Sequence, residues 1–487
     1  MSNPSLSRST HDSELRASSA SPAPTEGVPP LRLVKAPAQP GSIDAEWCAA
    51  AEPSRWTNQA ANRADRVARA AVFTVLDRIT GGEVTVVEPG GRHHFGEHAP
   101  DRFGREPLGA TIHVRHPGLY RRVLTSGSVG LGESYTDGWW DTDDLTALLR
   151  VLERNVRRAD PARRAARRFT APMTDPVRRL RRQDPRRDKN DIRAHYDLGN
   201  DFFARLLDES MMYSSALFPS ADSTLLDGSI HKLDRLCDRI GLGPDDHVLE
   251  IGTGWGGFAL HAARRYGCRV TTTTISDRQF AYARDRVRDA GLEDRIVVLD
   301  RDYRDLTGTF DAIVSIEMIE AVDWREYDTF FRTCVARLAP HGRVAMQAIT
   351  IPGQRFEQAK SRKDFIRQVI FPGGCLPSVE ALLASSARVS DLRLVDLEDF
   401  GLHYAETLRR WRDNLQGCRG DLASLGLDHR FDRLWDFYLA YCEAGFDERD
   451  ISVAQLVLAG PEWKRPDVPT FAGPVNHNPT SPNLSAS

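Results

Sequence analysis

Four glycines, Gly252, Gly254, Gly256 and Gly257, crowd into six residues just behind a carboxylate, Glu250. An apolar strand predicted over His247–Ile251 runs into them, and an apolar helix over Phe258–Arg265 follows. Strand, tight turn and helix bring backbone N–H groups and a helix N-terminus to the carboxyl edge of a parallel sheet. Glycine is required there because a side chain would hold a ligand off the backbone. The arrangement predicts a site for a nucleotide-like cofactor.

The spacing of Gly252, Gly254 and Gly257 also fits dinucleotide folds, so the glycines alone do not choose the ligand. Two neighbouring features point to S-adenosylmethionine. Glu250, two residues before the first glycine, suits the amino end of an amino-acid-bearing ligand, whereas a pyrophosphate gains nothing from a carboxylate. The next predicted strand, Cys268–Ile275, ends in Thr274, Ile275 and Ser276 with no acid at its tip. A dinucleotide site places a ribose-binding acid near that point.

These residues need a sheet to hold them. From 191 to 463 the sequence alternates strand and helix: a helix over Asp277–Ala290, strands over Arg295–Leu299 and Phe310–Ile316, a helix over Tyr327–Leu338, a turn at His341 and Gly342, and a strand over Arg343–Ile349. Two later strands, Leu392–Leu397 and Ser452–Leu458, close the pattern. The expected fold is α/β, a doubly wound, mostly parallel seven-stranded sheet ending in an antiparallel pair. Ligands then gather at the strand carboxyl ends: residues 250–257, 274–279, 300–305 and 317–320.

A smaller α+β unit is expected at 44–150. It has helical spacing over Ala60–Ile79, strands over Glu83–Glu88, Thr111–Val114 and Tyr120–Leu124, and an aromatic and acidic run at 130–141, GLGESYTDGWWD. Residues 1–43 and 464–487 read as disordered tails, poor in bulky apolar groups. The linker, 151–190, is arginine-rich. Between Arg154 and Lys189 stand thirteen Arg and one Lys against four Asp, a local charge of +10 in a chain whose net charge is −3. So local a charge suits an anionic lipid surface. With Phe169 as its lone aromatic it lacks the base-stacking platform of a nucleic-acid binder, and no nucleic-acid partner is expected. Seven scattered cysteines without Cys-x-x-Cys spacing predict reduced thiols, no metal site and a cytoplasmic setting. No run of apolar residues is long enough to span a bilayer, and the N-terminus has no secretory apolar core.

The blocks GESYTDGWWD (132–141), HYDLGND (195–201), MMYSSALF (211–218), LEIGTGWGGFA (249–259), TISDRQ (274–279), DYRDL (302–306), FDAIVSIEMIEAV (310–322), IFPGGCLPS (370–378) and FGLHYAETLRRW (400–411) occur in one order. Together they resemble the cyclopropane-fatty-acyl-phospholipid synthase family of S-adenosylmethionine-dependent methyltransferases, which includes 10-methylene-forming actinobacterial relatives. The resemblance runs from about 120 to 460. It implies a lipid-engaging N-terminal domain, a methyltransferase domain, and a cis-unsaturated phospholipid acyl chain as substrate. It places Tyr213 and Ser214 at the cofactor's amino-acid end, and Gly252, Gly254 and Gly256 in the loop. Thr274, Ser276 and Gln279 fall on the ribose side, and Asp302, Tyr303 and Ile316 near the adenine. A bicarbonate ion serves as base in that family, and its holders map to Ser215, Glu320, Gln347, Ile349 and Tyr404. Peripheral association with the inner face of the membrane, a reductase acting on a methylene product and a homodimer are further implications.

The sequence departs from the common bacterial pattern, which has Cys at the position of Ser215, His at that of Gln347, and a Glu-His pair where Glu320 and Ala321 stand. Gln hydrogen-bonds an anion but carries no proton away. These changes put the bicarbonate arrangement and the product in question. Glu320 also reads as a helix N-terminal acid and Tyr404 as a core tyrosine. A methyltransferase of a soluble small molecule, and a non-enzymatic binder of anionic surfaces, stay open at this point.

Overall fold

The structure, a computed structural model, describes residues 61–100, 104–155, 199–360 and 364–464. The expected N-terminal tail, nearly all of the C-terminal one and the arginine-rich linker beyond residue 155 lie outside them, as do residues 195–198. Helix α1 (Arg63–Leu76) opens with a reciprocal cap between Asn62 and Asp65, which satisfies two N–H groups that a helix start leaves bare. It covers a four-stranded sheet of order β2-β1-β3-β4, made of β1 (Glu83–Glu88), β2 (Gly91–Gly96), β3 (Gly109–Val114) and β4 (Trp140–Thr142). Polar β2, GRHHFG, carries no strand pattern of its own and is held by antiparallel pairing with β1.

One expected strand is instead helix. Residues 120–124 lie in α2 (Leu119–Ser126), which buries Leu119 and Tyr120 and rests Val123 on the core. A run of apolar and charged residues fits either period, and packing beside α3 (Ser128–Thr136) decides it. Gly132 on α3 is a close-approach site: a Cβ there would lie 2.4 Å from the Phe365 ring and 2.8 Å from Phe437. Trp140 is fully buried, its indole N–H donating to Ser134 Oγ at 3.0 Å.

The larger sheet contains β5 (His247–Ile251), β6 (Arg269–Thr274), β7 (Ile296–Asp300), β8 (Phe310–Ile316), β9 (Leu338–Thr350), β10 (Arg393–Asp399) and β11 (Ser452–Ala459). Its order is β10-β11-β9-β8-β5-β6-β7. Strands β5 to β9 pair in parallel, and β10 and β11 antiparallel, as the alternation predicts. The expected turn at His341 and Gly342 is absorbed into β9, which starts at Leu338 and slips register against β8 between Phe310 and Ala312. From β5 the chain moves outward to β6 and β7, then returns to the other side with β8. That reversal opens a crevice at the carboxyl ends of β5 and β8.

Helices α4 (Asn200–Leu206), α5 (Leu225–Arg239), α6 (Gly257–Tyr266), α7 (Asp277–Asp289), α8 (Tyr327–Arg337), α9 (Val379–Val389), α10 (Gly401–Gly417) and α11 (His429–Asp447) are the longer helices around this sheet, with short ones at Gly353–Ala359 and Arg419–Leu422. One apolar cluster contains residues of both sheets' surroundings, from Ala68, Val84 and Trp140 to Phe365, Trp411, Phe437 and Val453. Polar ties cross the same boundary. Glu448 accepts from Arg105, Arg150 and Arg154, and Tyr135 donates to Asp436 at 2.9 Å.

Candidate active site

The glycine loop sits in the crevice as the residue types require. Gly252, Gly254 and Gly256 have φ of 102°, 52° and 85°, values that favour a residue without Cβ. Nothing lies within 4 Å of where a Cβ on Gly254 would point, so the loop faces open space at that glycine. Arg286 on α7 fixes the loop from behind, donating to the carbonyls of Trp255, Ser210 and Glu209. Trp255 in turn donates to Asn200 at 2.9 Å. Glu250, on β5, is buried, and its Oε2 has no hydrogen-bond partner among the described residues. Burial pushes its carboxyl up to about 8, against a hydrogen bond from Thr272 that favours the charge. A buried acid in want of a partner beside an open glycine cradle fits the ammonium end of S-adenosylmethionine.

Around this cradle, Thr274 Oγ1 is 3.0 Å from Gln279 Oε1, and Ser276 caps α7 through Gln279 N–H. Asp302 caps a short turn and receives two N–H groups of Arg304, at 2.9 and 2.7 Å. The Tyr303 ring stands edge-on to Phe330, and Ile316 ends β8 opposite Gln347. Tyr213 meets Tyr438 hydroxyl to hydroxyl at 2.9 Å and lies against Trp411. Ser214 Oγ accepts from Lys232, a fully buried lysine on α5, at 2.6 Å. Burial brings the Lys232 ammonium down to about 8, and the charge of Glu317 works against that fall.

The second half of the site centres on Glu317, which the sequence places at a strand end without giving it a role. Its Oε1 accepts from Ser215 N at 2.9 Å and from Gln347 Nε2 at 2.7 Å, and its Oε2 accepts the Tyr404 hydroxyl at 2.7 Å. Gln455 on β11 donates to Gln347 Oε1 at 3.1 Å, which turns the Gln347 amide so that its NH2 faces Glu317. Glu320 lies three residues on. Its Oε1 accepts Ile349 N–H, and its Oε2 is sealed from solvent without a partner. Burial raises both carboxyls, Glu320 to about 8, and Glu317's charge adds to that rise. Three donors and a nearby ammonium favour the charge on Glu317, whereas backbone N–H groups alone favour it on Glu320, so Glu317 is the better held of the two as a carboxylate.

The residues assigned to bicarbonate therefore divide into two sets. Ser215, Gln347 and Tyr404 meet at Glu317, and Ile349 meets Glu320. Ser215 contributes its backbone N–H, while its hydroxyl turns to the Ala216 carbonyl at 2.9 Å. Glu320 belongs to a three-residue 3-10 turn, not to the start of an α-helix. A signal for Glu317 was present: it is the other acid in the run IEMIEA. Its backbone, at φ 48°, is left-handed for a residue with a Cβ, a conformation that costs about 1–2 kcal/mol. Among the described residues no cluster of three or more His, Cys, Asp or Glu is placed to hold a metal ion.

Comparison with known proteins gives the family. Residues 183–456 match the family described as mycolic acid cyclopropane synthetase. The chain is 40% identical over 368 residues to the tuberculostearic acid methyltransferase UfaA1 of Mycobacterium tuberculosis, covering 73% of this chain and 85% of that protein. It is 36% identical over 351 residues to the cyclopropane-fatty-acyl-phospholipid synthase of Escherichia coli, covering 72% of this chain and 88% of that one. Among solved structures, the cyclopropane synthase MmaA2 of Mycobacterium tuberculosis superposes with a TM-score of 0.52 at 30% identity, over 56% of this chain and 98% of its own. The mycolic acid cyclopropane synthase CmaA1, solved with S-adenosylhomocysteine, gives a TM-score of 0.52 at 28% identity, over 56% of this chain and 98% of its own. With its glycine cradle, the buried Glu250 beside it and matches of this extent, the chain belongs to the mycolic acid cyclopropane synthetase family and is an S-adenosylmethionine-dependent methyltransferase.

Proposed function

We propose that the enzyme adds a methyl carbon to the cis double bond of an unsaturated acyl chain in a phospholipid, giving a cyclopropane or a 10-methylene product. The observation that carries this reading is a pair of carboxyls, Glu317 and Glu320, beside an aromatic cluster whose Tyr404 donates to Glu317. That cluster includes Tyr213, Tyr404, Tyr438, Trp411 and Phe446. An alkene is a weak nucleophile, and its methylation leaves a cation on the chain. Carboxylates and aromatic faces stabilise such a charge, and a site closed to water protects it.

S-adenosylmethionine, when bound, supplies an electrophilic methyl group. Glu250, Tyr213 and Ser214 are suited to its amino-acid end, Thr274, Ser276 and Gln279 to its ribose, and Asp302, Tyr303 and Ile316 to its adenine. Ser215, Gln347 and Tyr404 hold Glu317, and Ile349 holds Glu320, so the proton leaves toward this pair of acids.

Access to a bilayer surface fits the N-terminal unit. Val67 and Val75 on α1 are 64% and 65% exposed, and Leu124 on α2 is 54% exposed. The charge of the 154–189 stretch adds attraction for anionic headgroups. No helix of the described residues is long and apolar enough to cross a membrane. We place the enzyme at the cytoplasmic face, with a reductase as the next step if the product is a methylene.

The test is expression in a host rich in oleoyl phospholipid, followed by mass spectrometry of fatty acid methyl esters. A gain of one CH2 unit is expected, and an unchanged profile despite soluble enzyme would refute the substrate. Replacing Arg163, Arg164, Arg167 and Arg168 by Gln is expected to weaken co-sedimentation with anionic liposomes; unchanged sedimentation removes the surface role.

A further inference from the structure

A free bicarbonate does not fit this site. The Tyr404 hydroxyl is given to Glu317, as is the Ser215 N–H, and the Gln347 NH2 serves Glu317 at 2.7 Å and the Ser215 carbonyl at 3.4 Å. The Ile349 N–H is given to Glu320. A mobile anion would find its donors taken and two carboxyls facing it.

We propose that the Glu317 carboxylate is itself the base of the reaction, a side chain standing where the family resemblance implies a diffusible anion. The inference rests on the substrate reading above. A carboxylate offers about four lone-pair positions. Three are filled by Ser215, Gln347 and Tyr404, which leaves one on Oε2 for a proton. Tethering removes the need to bind the base from solution, so every molecule carries it in place. Glu317 takes this place on a left-handed backbone, φ 48°, while its carboxylate meets Ser215, Gln347 and Tyr404.

The step balances as follows. The π pair of the alkene forms a bond to the methyl carbon while the carbon–sulfur bond breaks with its pair retained on sulfur. The neighbouring chain carbon becomes cationic. Glu317 then takes a proton. From the new methyl group, the released C–H pair closes a three-membered ring. If a hydride first moves from the methyl-bearing carbon to the cationic one, the same deprotonation leaves a methylene. Glu317 ends as the carboxylic acid and later returns the proton to solvent. In either route one alkene and one sulfonium give product, thioether and one proton.

Two variants and two measurements test this. In bicarbonate-free buffer with dioleoyl phosphatidylglycerol vesicles, the wild-type rate is expected to stay unchanged when bicarbonate is added. Glu317→Gln keeps the shape and loses the base, and is expected to lower kcat by roughly a hundredfold or more with the S-adenosylhomocysteine affinity retained. Glu317→Gly suits the left-handed backbone and frees three donors, so added bicarbonate or formate is expected to restore part of its activity. A wild-type enzyme that needs bicarbonate, or a Glu317→Gln variant with wild-type kcat, overturns the proposal. The second measurement needs no lipid: carbon-13 NMR of labelled bicarbonate is expected to show binding to Glu317→Gly but not to wild type. Bicarbonate bound by wild type overturns the proposal even if the acyl substrate proves wrong, and an inactive wild type with an empty anion site faults the substrate alone.

Discussion

The Tyr404 hydroxyl donates to Glu317 Oε2 across 2.7 Å, linking α10 to the residue that follows β8. The Tyr404 ring is meanwhile stacked on Phe446 at 4.5 Å between centroids. Removing the hydroxyl keeps the packing and deletes one bond to a charged group, worth about 1.5–3 kcal/mol. Tyr404→Phe is therefore expected to lower kcat by roughly 10- to 100-fold. Calorimetry with S-adenosylhomocysteine is expected to show little change. Equal losses in both would mean that Tyr404 only supports the fold.

Glu250 predicts a pH dependence of cofactor binding. Its carboxyl lies near 8, well above the ordinary 4.5, so the empty site holds a neutral acid at neutral pH. An ammonium group gains most from the ionised form. Affinity for S-adenosylhomocysteine is expected to rise as pH goes from 6 toward 8, and Glu250→Gln to flatten that slope. A wild-type affinity independent of pH in this range would contradict the assignment. In the empty protein the sign is opposite. The folded state keeps a proton that the unfolded chain releases above 4.5, so Glu250 lowers stability progressively between there and about 8.

Glu448 ties the N-terminal unit to the methyltransferase body. Burial works to raise its carboxyl, but Arg154 and Arg150 bring it below the ordinary value. Arg154 is itself buried, at 6% exposure. Glu448→Gln leaves that cation uncompensated and is expected to destabilise the protein by about 3–5 kcal/mol at pH 7. The contribution is present above 4.5 and fades as pH falls through the lower folded value. Thermal melts of both proteins are thus expected to converge in acid; a constant gap would assign the effect to packing.

Gly132 tests the close approach of α3 to the body. The nearest atoms to an added Cβ belong to Phe365 and Phe437, rings that are both fully buried. Gly132→Ala is expected to destabilise by about 1–3 kcal/mol through overpacking. An unchanged melting temperature would show that the two rings can yield.

Much of the fold was legible because periodicity reports burial. The apolar run at 247–251, the glycines behind it and the exact span of β8, Phe310–Ile316, read off directly. Residues 120–124 did not, since five residues of mixed polarity satisfy both periods and only contact with α3 selects helix. Strand β2 was invisible because its pattern is polar and its partner lies across a turn. In the site, Ser215, Gln347 and Tyr404 were legible as a group only through family resemblance. Their separation in sequence, from 215 to 404, gives spacing arguments no purchase.

By itself the sequence determined the cofactor cradle, because left-handed turns demand glycine and a strand–turn–helix has one geometry. It also determined the parallel sheet, through alternating apolar strands and amphipathic helices. Only the tertiary structure decided what the donors around the crevice hold. Hydrogen bonds have short reach and fixed direction, so the Tyr404 hydroxyl, the Gln347 amide and the Ser215 N–H reveal their common acceptor, Glu317, once three distant segments are folded together.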